Sequence, residues 1–469
     1  MEDRPFKVII VGGSIAGLTL AHCLHRANID HLVLEKRPEI APQEGASIGL
    51  WPTGGQVFSQ LGLWEELSRG SQPLKVHNIS YPDGSGFSHD LLKRIYERFG
   101  YGLTFVERQR LLETLYRRHP DKSRILAGKA VVEIRQADGG VSVVTEDGSK
   151  YQGSLVVGAD GVRSRVRSEM WRLAETQYPG RVTSKEKKAM TAEYSCVFGI
   201  SSAIPGLRSG EHGNVLGDGL NFLTFHGGNQ VYWFVVSKMD QKYIYPEVPR
   251  FGAKDAEELC SRFAAVRLAD GVCVRNLWES RKVASMTAME EGLFETWSAG
   301  RVVLLGDAVR KMTVNMGQGA NCAIEDAAVL ATLLDRLVRS DTKSMPSDAE
   351  IESLLDEFKS LRYARSKAIY GQTMFGTRLY TRDGILKKLM GRYLMPRNID
   401  HMADATSTLM ADGPVVGFLP LPPRSGTGWE RYRSSNGRKD SRWSERRMLF
   451  LGTAVLALSV LACSRLSRS

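Results

Sequence analysis

The chain lacks any disulfide or metal framework. Its six cysteines (Cys23, Cys196, Cys260, Cys273, Cys322 and Cys463) form no CxxC pair, and no Cys/His cluster has metal-ligand spacing. A zinc-ribbon or a stapled mini-protein is excluded; free thiols in a reducing compartment and no metal site are expected. The polar start MEDRPF runs straight into VIIVGG without an apolar leader segment, so no secretory signal is expected. There is no internal repeat. The Arg/Lys cluster at 431–447 has no aromatics interleaved at any regular spacing and reads as a juxtamembrane charge belt. The net charge of +11 sits partly in a C-terminal cluster, so it does not argue for nucleic acid as a partner.

What is present is ordinary globular material. The 469 residues are 42% hydrophobic and 25% charged, enough for two domains or one large one. The 46 glycines are scattered, which points to tight turns and close backbone approaches. Residues 6–11 (FKVIIV) read as a buried strand, followed by a glycine-rich turn and an apolar-periodic helix from Leu18 to His25. His31 to Glu35 is a second strand, completing a βαβ unit. Buried strands recur at Leu155–Val157 and at Arg301–Leu305, the latter followed by a helix from about Asn321. A helix is expected over 105–119, a hairpin over 129–135 and 141–145, and mostly helix over 351–410. Residues 190–290 change to antiparallel character, with Asn221–Phe225 pairing with Val231–Val236.

Three strand ends carry the chemistry. After the first strand stands Gly12-Gly13-Ser14-Ile15-Ala16-Gly17, a dinucleotide pattern with serine at its middle glycine position. Gly12 would allow the tight turn, Gly17 the close helix–strand packing, and the helix N-terminus would face a pyrophosphate. Glu35, 18 residues after Gly17, would accept hydrogen bonds from both ribose hydroxyls of an adenosine. Gly158-Ala159-Asp160-Gly161 and Gly306-Asp307-Ala308 follow the other two buried strands, and Gly317-Gln318-Gly319-Ala320-Asn321 opens the next helix. Acids and glycine turns at strand carboxyl ends lie where open α/β sheets bind ligands.

These motifs in this order resemble the class A FAD-dependent monooxygenases of the para-hydroxybenzoate hydroxylase fold, over roughly residues 5 to 425. FGIS at Phe198–Ser201, Lys311-Met312 and FLPLPPR at Phe418–Arg424 are similar to the fungal epoxidases of paxilline-type indole-diterpene and meroterpenoid biosynthesis. The resemblance implies an α/β fold: a Rossmann-like FAD-binding domain with an inserted antiparallel-sheet substrate domain, C-terminal helices and a C-terminal membrane helix. The expected division is 1–175 and 296–410 for FAD binding and the helices, 176–295 for substrate, 411–447 as linker and 448–463 as anchor. It also implies that Gly12, Ser14 and Gly17 face the pyrophosphate and Glu35 the adenosine ribose. Gly49 and Arg108 would contact the flavin side, and Asp160 would lie where FAD meets incoming NADPH. Asp307 would hold the ribityl chain, with Gly319 and Ala320 beside the isoalloxazine. Two residues depart from the family pattern: Arg310 stands where histidine is usual, and Val314 where proline precedes Asn315.

Oxygen transfer from such a cofactor needs position and a dry pocket rather than a metal or a strong base. Phe222, Phe225, Tyr232, Trp233 and Phe234 could wall that pocket, although strand alternation assigns about half of them elsewhere. Tyr194 and Tyr232 are the candidate catalytic phenols, able to orient an oxygen donor or protonate an alkoxide. The nine histidines show no motif; His22 and His25 read as packing residues.

The far C-terminus adds Met448–Cys463, an uncharged apolar run of 16 residues with arginines on both sides. Seven Lys/Arg lie between Arg431 and Arg447 and two follow the run, which predicts a single-pass anchor with the catalytic domain cytosolic. Its shortness suits the thin endoplasmic reticulum membrane. The expected activity is NADPH- and O₂-dependent epoxidation of a lipophilic prenylated small molecule, with a membrane terpene cyclase as a candidate partner. An aromatic-ring hydroxylase, an FAD-linked prenyl reductase and a membrane-tethered flavoprotein scaffold are the alternatives.

Overall fold

The computed structural model describes residues 6–434 except 44, 46, 138, 178 and 341–344. The first strand, Lys7–Val11, lies at the centre of a six-stranded sheet; Val8, Ile9 and Ile10 have no exposed surface. Burial on both faces is why this run is continuously apolar rather than alternating. It pairs in parallel with Asp30–Leu34 on one side and Leu155–Gly158 on the other. Val302–Leu304 extends the sheet beyond Leu155–Gly158, also in parallel. Helices Ile15–Arg26 and Gly319–Ser340 pack against each other. Three turns, after Val11, Gly158 and Leu304, therefore emerge side by side at the carboxyl edge.

The second layer is an eight-stranded sheet. Its order is Arg310–Lys311, Arg281–Leu293, Thr191–Ser202, Gln230–Ile244, Leu220–Gly227, Glu211–Gly217, Val76–Ser80 and Gly86–His89. The predicted pairing of Asn221–Phe225 with Val231–Val236 is present, with Asn221 opposite Val236. The predicted boundary of 176–295 needs correction, because two strands come from 76–89 and one from 310–311. Short strands paired by long-range contact carry no local signal, and Val76 joins Glu211 across the whole intervening chain. A three-stranded sheet, Val131–Ala137, Gly140–Thr145 and Lys150–Gly153, contains the expected hairpin. The helix expected over 105–119 spans Arg108–Arg118, preceded by the strand Thr104–Glu107.

Ser347 and Glu350 form a capping box that starts the 33-residue helix Asp348–Tyr380. Beyond it, part of the expected linker 411–447 is not a free tether. Gln60 Nε2 donates to the Val416 carbonyl at 3.0 Å, and Val416 N donates back to Gln60 Oε1 at 2.9 Å. Trp429 is buried, and its indole donates to the Phe99 carbonyl at 3.0 Å. Proline and glycine here shape a strap across the body, and composition alone does not distinguish a strap from a linker. Among the described residues no helix is long and apolar enough to cross a membrane; the run Met448–Cys463 lies outside them.

Candidate active site

A cavity of about 870 Å³ lies between the two main sheets. At one end the three strand-end turns line it. Gly12 has φ +113°, and a Cβ there would sit 2.4 Å from the Ala159 carbonyl oxygen, so only glycine lets the first two turns meet. Gly17 does not line the cavity. It is the packing glycine, where a Cβ would lie 1.9 Å from the Gly12 carbonyl oxygen. Ser14 is the N-cap of helix Ile15–Arg26 but makes no side-chain cap bond, and no acid occupies the first turn. Its hydroxyl instead accepts from Arg108 Nη2 at 3.1 Å. An uncapped helix N-terminus beside a guanidinium is suited to an anion.

Glu35, at the end of the second strand, accepts from the Gly13 N–H at 2.7 Å and from the Arg37 N–H at 2.9 Å. The carboxylate thus braces the glycine turn while facing the cavity. Asp160 is half-buried at the cavity wall. Its oxygens accept from Ser164 Oγ at 2.5 Å and Val166 N at 3.0 Å, capping the next helix, and burial pushes its carboxyl up from the usual range. Asp307 accepts from Lys311 Nζ at 2.5 Å. Burial works against the Lys311 ammonium, but the adjacent Asp307 outweighs it and holds the group above its ordinary value. Gly319 opens helix Gly319–Ser340 with nothing within 4 Å of its Cβ position.

Asn321 is a site residue to which the sequence pattern assigned no role. It is fully buried and donates to the Gly49 and Gly317 carbonyls at 2.8 Å each, while accepting from Trp51 N at 3.0 Å. It ties the strand carrying Gly49 to the Gly317 turn; its place at the end of the GQGAN run was the available signal. The two departures also have places. Arg310 is buried and pairs with Asp326 at 2.8 Å, and Asp326 accepts from Gly306 N at 3.0 Å. The arginine therefore anchors the Asp307 turn to the helix behind it. Val314 is part-exposed and lines the cavity.

The far side of the cavity is the inner face of the eight-stranded sheet. Cys196, Phe198, Leu223, Phe225, Phe234 and Met289 line it, whereas Phe222 and Trp233 pack on the opposite face. Neither candidate phenol, Tyr194 or Tyr232, is among the side chains that line the cavity. Tyr194 lies farther along the same face, and its hydroxyl donates to Asp383 at 2.8 Å. Tyr232 is stacked against Phe105, which does line the cavity, and burial pushes its phenol up to about 12. Three histidines line the cavity instead: His77, His89 and His212. Two of them come from the strands that sequence reading missed. Among the described residues no group of His, Cys, Asp or Glu could hold a metal ion.

The uncapped helix N-terminus, the bare Gly12 and Gly319 positions, Arg108 and the inward Glu35 carboxylate supply donors and acceptors for a pyrophosphate and a ribose. They fit FAD.

Comparison with known proteins agrees. Residues 5–371 match the family described as FAD binding domain. FAD-dependent monooxygenase nvfK of Aspergillus novofumigatus is 55% identical over 433 residues, 92% of each chain. FAD-dependent monooxygenase penE of Penicillium thymicola is 54% identical over 437 residues, 93% of this chain and 92% of its own. In structure the chain is similar to HpxO of Klebsiella pneumoniae complexed with FAD and uric acid, with TM-score 0.67, 21% identity and coverage of 87% and 97%. It is also similar to a salicylate hydroxylase substrate complex, with TM-score 0.63, 20% identity and coverage of 87% and 98%. At those identities the two structures share the fold alone; the family membership rests on the sequence match and the fungal relatives. The chain belongs to the FAD-binding-domain family and is an FAD-dependent monooxygenase.

Proposed function

We propose that this monooxygenase is an epoxidase that uses NADPH and O₂ to oxidise an alkene in a prenyl chain, on a meroterpenoid or indole-diterpene intermediate of secondary metabolism. The observation that carries the reading is one cavity with two chemistries. Polar turns suited to a dinucleotide line one side, and an extended wall of Phe, Leu, Met and Cys side chains lines the other. Bound FAD would supply the redox chemistry, accepting reducing equivalents from the nicotinamide and activating O₂.

The chain's own residues do the rest. Gly12, Ser14 and the helix N-terminus bind the pyrophosphate, Arg108 adds positive charge, and Glu35 selects an adenosine without a 2′-phosphate. Asp307 and Lys311 present a carboxylate and an ammonium together, to bind hydroxyls and to hold a proton at Nζ. Asn321 keeps Gly49 and the Gly317 turn in register. Phe198, Phe225 and Phe234 exclude water and give an alkene a surface to lie on. Alkene epoxidation asks for no protein base, which accords with both tyrosines lying away from the cavity. We further propose that Met448–Cys463 is a single-pass anchor in the endoplasmic reticulum membrane. It would hold the catalytic domain on the cytosolic side, near the lipophilic substrate and a membrane cyclase that consumes the epoxide.

The test uses the full-length, FAD-loaded protein in detergent with a farnesylated aromatic substrate. NADPH oxidation, O₂ uptake, peroxide release and product mass are followed together. Substrate-stimulated NADPH oxidation with a product heavier by one oxygen, as an epoxide, supports the reading. A phenol product makes the enzyme a ring hydroxylase. Hydrogen gain without O₂ uptake makes it a reductase, and a flavin that NADPH does not reduce makes it a scaffold. Recovery of the chain in the soluble fraction of a cell lysate would overturn the anchor.

A further inference from the structure

His77, His89 and His212 form a row. His212 is opposite His77 across a parallel strand pair, and His77 is opposite His89 across an antiparallel one. In-register positions on adjacent strands project from the same face of a sheet, here the face that bounds the cavity. The His77 and His212 ring centroids are 4.1 Å apart, and those of His77 and His89 are 4.7 Å apart. The row continues with Phe225, stacked on His212 at 4.2 Å and within 6° of parallel. Strands Val76–Ser80 and Gly86–His89 form the edge of the sheet opposite Arg310–Lys311, the strand that follows the Asp307 turn.

Packing alone does not call for three imidazoles among Leu91, Leu103, Phe105 and Phe225, since apolar rings would fill the space without the cost of burying polar atoms. The rings are neutral. Burial pushes His212 down to about 3 and His89 to about 4, and it pushes His77 well below the usual range, with the neighbouring imidazoles adding to the effect. At His89 the nearby Asp90 and Arg94 act in opposite directions. In His212 the Nδ1–H donates to the Thr224 carbonyl at 3.0 Å, which leaves Nε2 as an acceptor. His89 Nδ1 accepts, at 3.4 Å, from the Leu91 N–H, which leaves Nε2–H as a donor. His77 is 7% exposed, and its Nε2 has no hydrogen-bond partner. A buried polar atom left unpaired in a cavity wall is costly, and a partner brought by a ligand removes that cost.

We propose that His77, His89 and His212 form a recognition site for an uncharged oxygen-bearing head group, a hydroxyl or carbonyl, of the lipophilic substrate. The row serves as a positioning and specificity device: it holds the polar end at one edge of the sheet, and the apolar chain runs along the sheet face toward the cofactor turns. A carboxylate or phosphate head is disfavoured, because neutral imidazoles give it no countercharge. The proposal rests on the monooxygenase reading for the identity of the cavity.

The test is calorimetric binding to the full-length, FAD-loaded protein in detergent, with 4-farnesylphenol and farnesylbenzene as probes. The phenol is expected to bind about 10- to 100-fold more tightly than the hydrocarbon. His77→Phe and His212→Phe, which keep an aromatic ring in the row, are expected to erase that difference by weakening the phenol alone. Unchanged farnesylbenzene binding shows that the variants remain folded around the cavity. Repeating the titration in buffers of different ionisation enthalpy should show no proton uptake. Equal binding of the two probes, binding of neither, discrimination that survives in both variants, or uptake of about one proton each overturns the proposal. NADPH oxidation and O₂ uptake with the same probes report separately on the activity. Discrimination without turnover sinks the monooxygenase reading and leaves the head-group site standing; turnover without discrimination does the reverse.

Discussion

Replacing Gly12 by alanine tests whether the meeting of two strand-end turns is what makes the cofactor end of the cavity. The new methyl would lie 2.4 Å from the Ala159 carbonyl oxygen, 2.6 Å from its carbon and 2.9 Å from Asp160 N, against ordinary contacts of 3.4–4 Å. All three atoms are backbone, so no side chain can rotate away. The φ of +113° adds a conformational penalty of about 1–2 kcal/mol for a residue with a Cβ. Overpacking adds roughly 1–3 kcal/mol, giving a total of about 2–5 kcal/mol. That free energy must appear in one of two places. If the turns stay together, stability falls, and Tm drops by roughly 2–5 °C, about 1 °C per kcal/mol for a chain of this length. If they separate, cofactor binding must close them, and the FAD dissociation constant rises between about 30-fold and a few thousand-fold. Melting of the apoprotein and flavin titration by fluorescence quenching read the two terms. Gly319→Ala is the control: its Cβ meets nothing within 4 Å, so Tm should stay within about 1 °C while FAD affinity falls. A Gly12→Ala protein with wild-type Tm and wild-type FAD affinity would refute the reasoning.

Other outcomes follow from the same geometry. Glu35→Gln should weaken FAD about 10-fold, because one amide oxygen cannot serve both the Gly13 and Arg37 N–H groups and the ribose; unchanged affinity in the flavin titration would count against it. Arg362→Met should cost about 3–5 kcal/mol, because Arg362, Glu325 and Asp326 are all buried and paired; a melting curve within 1 °C of wild type would contradict that. Burial pushes His22 and His31 down to about 4. Above about pH 6.5 both rings are neutral in the folded and unfolded chain, so they add no pH dependence. As pH falls from 6.5 toward 4 the unfolded chain binds protons that the folded one refuses, and stability declines by about 1.4 kcal/mol per pH unit for each ring. A Tm that stays flat between pH 7.5 and 5 would show that these rings charge freely in the fold.

The cofactor half of the protein was legible because its requirements are local. A buried parallel strand must be continuously apolar, the turn after it needs glycine where backbones touch, and an acid must close the second strand. Each condition falls within a few residues: VIIVGG, Gly17, Glu35. Gly17 proved to be the packing position, as the same pattern allows. The antiparallel-sheet half was legible only in outline. Alternation implied only that about half of the five aromatics would face away from the cavity; the strand pairing shows that Phe225 and Phe234 face it while Phe222 and Trp233 pack on the opposite face. Alternation also could not show that Tyr232 stacks behind Phe105, which lines the cavity, or that the Tyr194 hydroxyl is bonded to Asp383.

The histidine row was out of reach of any local pattern. His77, His89 and His212 are unremarkable singly, and they come together only when two short strands from residues 76–89 join the sheet beside Glu211–Gly217. Likewise, the family departure at Arg310 is visible in the sequence, but its consequence is not: the arginine closes a buried ion pair with Asp326 that only helix packing brings into reach. The sequence by itself determined the cofactor turns, since strand period and glycine sterics act over neighbouring residues. Tertiary structure decided the polar chemistry of the cavity's far wall, since strand pairing acts between residues that the chain holds far apart.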